Sequence, residues 1–211
     1  MINALIGFVG KLWPPLLAVI LTQWFIQMRK PKLKLSLEGV KYLSLQFNKG
    51  QTLKRFHTWR FKVENIKIPW YVRWLIRNRD NALQCTADLT FYSFEDKELF
   101  KMKGRWANTV EMLFLPKELY QEKLIYPEKL DIECGNQYQP LDCIVQYDGE
   151  NKAYGWNNES YSSDPVGKNS RCMLKTGTYN IGVRLSGQNF KQVQKKFSIV
   201  IGECWEDTSL S

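Results

Sequence analysis

One histidine, His57, five cysteines and a scatter of carboxylates are the groups in this 211-residue chain with the means to do chemistry. Their spacing does not arrange them for it. His57 lies in the run RFHTWRFKV among basic and aromatic neighbours, and the chain holds neither a Gly-x-Ser-x-Gly elbow nor an HExxH pair, so a nucleophile and its base have no starting point. Alternation around it reads as a strand, which makes His57 a surface histidine on a basic strand. Glu95, Asp96 and Glu98 fall in one solvated, looped run and form no converging acid–base pair. Cys85, Cys134, Cys143, Cys172 and Cys204 include no CxxC pair; they read as reduced core thiols, and with one imidazole in the chain they make no zinc set. The expectation is a non-enzymatic protein, without metal or cofactor, that works by binding.

The groups suited to binding are aromatic and basic. Aromatic residues reach 14% with eight tryptophans, and Lys plus Arg number 30 against 21 for Asp plus Glu. Residues 29–77 hold thirteen basic and two acidic residues, whereas residues 78–211 hold sixteen basic and nineteen acidic. Each Lys or Arg near an anionic leaflet is worth ~1 kcal/mol, so the first segment suits a lipid surface. Within it, residues 68–79 (IPWYVRWLIRNR) place Trp70, Arg73, Trp74 and Arg77 on one face if their middle is helical. The alternative is a loop whose aromatics cover an open end of the core. Together with Arg29, Lys30, Lys32 and Lys34 these form the candidate membrane-surface or phosphate-binding set.

Nucleic acid is the less favoured partner. Arg55, His57, Trp59 and Arg60 combine charge with rings, yet no recognised nucleic-acid motif is present. Residues 154–164 (YGWNNESYSSD) could stack a sugar or base through Tyr154, Trp156 and Tyr161, or form a long structured turn rich in Gly, Asn and Ser.

The elements that must position these groups begin with an apolar N-terminus. Residues 2–28 carry one charge, Lys11, and the uncharged stretch 12–28 covers ~26 Å as a helix, against a hydrocarbon core of ~30 Å. Lys11 can snorkel, and Trp13 and Trp24 suit the interface. With no basic residue before the run and no small-x-small site after it, residues 1–28 read as an uncleaved transmembrane anchor rather than a signal peptide. Pro14-Pro15 either kinks this helix or starts a new one, leaving residues 2–11 as a separate apolar segment. Gln23 and Gln27, at i,i+4, either sit near headgroups or bond to a second copy and make a homo-oligomer. The basic flank at Arg29 to Lys34 keeps the following domain in the cytoplasm by the positive-inside rule, giving a single-pass protein of the inner membrane.

Beyond the basic juxtamembrane residues 29–34 the dominant period is two. Leu33, Leu35 and Leu37 alternate with polar residues, as do Trp59, Phe61 and Val63, and Leu83, Cys85, Ala87, Leu89 and Phe91. Further strands are expected at 130–134 and 141–147, the second ending on the turn signal Asp148-Gly149, and residues 110–126 suggest a short helix or loop. Mean hydropathy of -0.38 excludes a multi-span protein, and the aromatic content excludes a disordered one. Residues 35–203 form the expected β-sandwich and 204–211 a tail.

The run LKTGTYNIGVRLSGQNFKQVQKKFSIVIG (174–202) resembles the closing strands of immunoglobulin-like and fibronectin type III-like sandwiches, with Tyr179 at the place of the corner tyrosine whose hydroxyl bonds to backbone. Ile181 stands where antibody-type domains carry a core cysteine. The resemblance implies a mainly β chain, an antiparallel immunoglobulin-like sandwich preceded by one transmembrane helix, in the layout of small bacterial membrane proteins of unknown role. The expected function is a membrane-anchored cytoplasmic binding or scaffold module resting its basic side on anionic lipid. The alternatives are a ligand-gated effector, whose sandwich senses a nucleotide or protein signal and whose helices assemble and perturb the bilayer, and a membrane-tethered nucleic-acid-binding module.

Overall fold

Strands that alternate apolar and polar residues each carry one face that must leave water, and two sheets meet that demand by packing those faces together. The computed structural model describes residues 2–43, 56–109, 128–135, 137–163 and 165–211, with the side chains of residues 2–12 and 41–43 left aside. Among the described residues one α-helix, α1 (Ile2–Arg29), precedes eleven strands: β1 (Leu33–Leu43), β2 (Phe56–Asn65), β3 (Ala82–Ser93), β4 (Glu98–Lys103), β5 (Leu130–Ile132), β6 (Gln139–Tyr147), β7 (Lys152–Gly155), β8 (Met173–Lys175), β9 (Gly177–Ser186), β10 (Val193–Ile201) and β11 (Ser209–Leu210). The chain is mainly β. One antiparallel sheet runs β1-β2-β6-β7-β8, the other β11-β10-β9-β3-β4, with β5 paired to β3. Between them lies the core, which includes Leu35, Trp59, Phe61, Val63, Leu89, Phe91, Ile144, Ile181, Val183, Phe197 and Ile199.

The anchor expected at residues 1–28 needs correction. Among the described residues no helix is long and apolar enough to cross a membrane. The side chains described in α1 begin at Trp13, and from there the helix carries Pro14, Pro15, Thr22, Gln23, Gln27 and Arg29. Over residues 13–29 these polar and helix-breaking residues interrupt the apolar run that a spanning helix requires. Gln23 and Gln27 are both exposed on α1.

Period two fails locally at β3. The ladder to β5 is irregular between Ala82 and Cys85, where Gln84 takes φ +49°, so Ala82 and Cys85 both point inward and Leu83 is turned out. Strand β6 is buried along nearly its whole length, because its outer face carries a second small core of Phe56, Val145, Tyr147, Tyr154, Trp156 and Tyr161. That core is roofed by the 3₁₀ turn Asn158–Ser162, which Asn157 and Ser160 cap reciprocally. Of the stretch expected as a long structured turn, Tyr154 and Gly155 end β7 and residues 158–162 form the 3₁₀ turn, and burial of Tyr154, Trp156 and Tyr161 removes the alternative of a ring-stacking platform. Residues 204–211 hold the 3₁₀ turn Trp205–Asp207 and the edge strand β11, which pairs with β10. Residues 110–126, where a short helix or loop is expected, lie outside the described residues.

Candidate functional site

The segment after β2 is built by proline and three apolar residues. Pro69, at φ -53°, opens the 3₁₀ turn Trp70–Val72, which continues through bonds from the amides of Leu75 and Ile76 to the Val72 carbonyl. Ile68, Val72 and Ile76 recur every four residues and bury themselves against Phe25 and Met28 of α1. The residues between them are forced outward. Trp70 is 80% exposed and Trp74 83%, with Tyr71 and Leu75 beside them at 62% and 46%. Arg73 and Arg77 are exposed in the same segment, and Arg73 Nε donates to the Ile68 carbonyl at 3.1 Å. Trp70, Arg73, Trp74 and Arg77 are therefore all presented to the outside from one short segment at the foot of α1, on a turn rather than a regular helix. Tyr71 and Leu75 belong to the same surface; the i,i+3,i+4,i+7 count passes over them.

The helix is tied to the sandwich by polar contacts that spacing does not reveal. Asp80 donates its amide to the Arg29 carbonyl and accepts from Arg29 Nη2, both at 2.7 Å. Arg79 Nη1 donates to the carbonyls of Met28 and Lys30, at 2.7 and 3.1 Å, satisfying acceptors that a helix C-terminus leaves open. Asn65, buried at the end of β2, accepts the Lys32 amide and donates to the Asp80 and Ile132 carbonyls. Of the four basic residues from the last position of α1 to Lys34, Arg29 is engaged in this joint, while Lys30, Lys32 and Lys34 are exposed.

Elsewhere the structure reassigns several groups. His57 is buried, not on the surface: its ring stacks on Trp205 at 3.7 Å between centroids, and Nε2 lies 2.9 Å from Asp148 Oδ1. Its parity with Trp59 on β2 carries the signal, since both face the side that closes against the other sheet. With His57 and Trp59 inside the fold, and Arg60 bonded to Asp142 at 2.7 Å, this group offers no ring platform to nucleic acid; Arg55 lies outside the described residues. Asp142 is fully buried between Arg60 and Arg105. Burial pushes its carboxyl up, and the two guanidiniums pull against that. Gly104 brings Arg105 there: a Cβ at this position would sit 2.7 Å from Ala87 Cβ, so only glycine lets the chain pass from β4 to the edge of β6.

Tyr179 is half-buried on β9, and its hydroxyl donates to the Lys175 carbonyl at 2.9 Å. Burial raises the Cys85 thiol to about 12 and Cys172 to about 11, leaving both poor nucleophiles. Among the described residues no group of three or more His, Cys, Asp or Glu side chains converges as a metal site. No known protein family matches the chain, and no curated protein matches it either.

What the foot of α1 can do follows from its composition. Two nearly fully exposed indoles, a phenol and a leucine stand among guanidinium and ammonium groups. This is the mixture that settles at a lipid–water boundary, with rings at headgroup depth and cations on phosphate.

Proposed function

We propose that this protein is a non-enzymatic binding module that docks on an anionic lipid surface through the foot of α1. The observation that carries the reading is the exposure of Trp70 and Trp74, 80% and 83%, on the segment that also presents Arg73 and Arg77. Exposed apolar rings are costly in water, and two on a short turn held by buried Ile68, Val72 and Ile76 are a built feature of the surface. Leu16, Val19, Ile20 and Leu21 of α1, each more than half exposed, add apolar area on the adjoining element. Lys30, Lys32 and Lys34 supply attraction to anionic headgroups at ~1 kcal/mol each. The sandwich acts as the rigid body that carries this surface.

Flotation of the full chain with phospholipid vesicles tests the reading. Co-flotation at physiological salt is expected, with a blue shift of tryptophan emission and quenching by bromine-labelled acyl chains. Replacing Trp70 and Trp74 together by Ser should abolish the shift and most of the binding. A wild-type chain that fails to float with vesicles at low salt would sink the proposal.

A further inference from the structure

Between the last turn of α1 and the segment 75–80 lies a cavity of about 300 Å³. This is the lower end of the size range for small-molecule sites. Phe25 and Leu75 give it apolar walls, and Arg29, Arg77, Arg79 and Asp80 line the rest. The sign of its field follows from the charges around it. Three guanidiniums stand against the Asp80 carboxylate and the roughly half negative charge of the α1 C-terminus, which leaves an excess of about one and a half positive charges.

The three arginines are not equally committed. Arg29 is engaged by Asp80 at 2.7 Å. Arg79 uses Nη1 on the helix carbonyls, while its Nε is sealed from water without a hydrogen-bond partner. Arg77 is exposed at the rim beside Leu75. The cavity thus presents an exposed fork at its mouth, net positive charge and an apolar wall. Guanidinium forks match phosphate oxygens in pairs, which an ammonium does not.

We propose that this cavity receives the phosphate of an anionic phospholipid headgroup, with the glycerol portion against Phe25 and Leu75. The inference rests on the lipid-surface reading above and assigns that surface its headgroup site. A lipid is the source because the cavity is contiguous with the exposed aromatic segment: Leu75 and Arg77 belong both to its wall and to that segment. A phospholipid held by the indoles therefore brings its own phosphate to the mouth.

The test compares full-length wild type with Arg77→Gln, Arg77→Lys and Lys34→Gln on phosphatidylcholine vesicles, with and without phosphatidylglycerol. Diffuse attraction loses about fivefold per removed charge, and a lysine restores it. A built fork behaves otherwise. Arg77→Gln and Arg77→Lys should each lower the gain from phosphatidylglycerol by tenfold or more, with unchanged thermal melts, whereas Lys34→Gln loses no more than fivefold. If Arg77→Lys binds anionic vesicles as wild type does, the headgroup site is overturned while the lipid-surface reading stands. Equal binding of wild type to both vesicle types overturns the headgroup site together with the anionic preference of the lipid-surface reading, and leaves only its apolar contact. If soluble glycerol 3-phosphate binds wild type as tightly as the anionic vesicles do, the lipid is the wrong source and the proposal fails. Failure of wild type to bind any vesicle overturns both readings.

Discussion

The Arg79 guanidinium reaches 51 positions back along the chain and donates from Nη1 to the Met28 carbonyl at 2.7 Å. Its second bond, to the Lys30 carbonyl, makes one side chain the C-terminal cap of α1. A hydrogen bond to a charged group is worth ~1.5–3 kcal/mol, so Arg79→Ala should cost about 2 kcal/mol in denaturant melts. Loss of the cap should also speed hydrogen exchange at the Asp80 amide, whose acceptor is the Arg29 carbonyl. Arg79→Lys keeps the charge but not the fork and is expected to recover less than half the stability.

Asp142 makes the opposite kind of contact, fully enclosed. Removing one partner from a buried ion pair costs ~3–5 kcal/mol, because the remaining charge is stranded. Asp142→Asn strands two guanidiniums and should fall in that range by equilibrium unfolding. Arg60→Gln should cost less, since Arg105 still meets the carboxylate and the Arg60 side chain keeps a route to water. Equal losses for the two variants would contradict this picture of the cluster.

Tyr179→Phe removes one hydroxyl bond to the Lys175 carbonyl. That acceptor lies near the surface and can take water in exchange, so the cost should be ~0.5–1 kcal/mol, at the lower end for a neutral hydrogen bond. Asn180, whose bond to Asp96 is exposed, serves as the control, and Asn180→Ala should stay within about 0.5 kcal/mol of wild type.

Asp88 carries the pH-dependent contribution. Partial burial raises its carboxyl, but Lys103 at 2.7 Å and Arg184 at 2.9 Å more than reverse this and hold it below the usual carboxylate range. A depressed folded-state pKa gives stability that is present above the unfolded value of ~3.9 and is lost as pH falls through the folded value. At neutral pH the cost of Asp88→Asn should stay under ~1 kcal/mol, because both cations are half exposed and well screened. Wild type and variant should converge in acid melts below about pH 4. A difference that grows on acidification would reverse the sign.

Much of the sandwich is legible as parity. Trp59, Phe61 and Val63, or Ile181, Val183 and Leu185, alternate cleanly because each strand has one face on the core. His57 has the same parity as Trp59 and is buried; the basic residues around it in the sequence disguise it. Parity breaks where the backbone does: at Gln84 a positive φ rotates Leu83 outward. It also misleads where both faces are covered, as on β6, whose outer side is roofed by residues that read as a polar loop. At the foot of α1 the rings and cations are visible as residue types. The joint beneath them is not, since Arg79 and Asp80 meet the end of α1, and Asn65 the Lys32 amide just after it, from distant positions by a few hydrogen bonds, which leave no period in the sequence.

The pairing of β3 with β9 sets a limit in time as well as in space. Asp88 and Arg184 face each other across that ladder although 96 positions separate them. Hairpins such as β9–β10 can form on their own, but the centre of the second sheet closes only when a long stretch of chain has been drawn into a loop, before any contact there offsets the lost entropy. Refolding should therefore take ~milliseconds to seconds, as in other sandwiches of high contact order. The amides of β3 and β9 should exchange only when the whole domain opens.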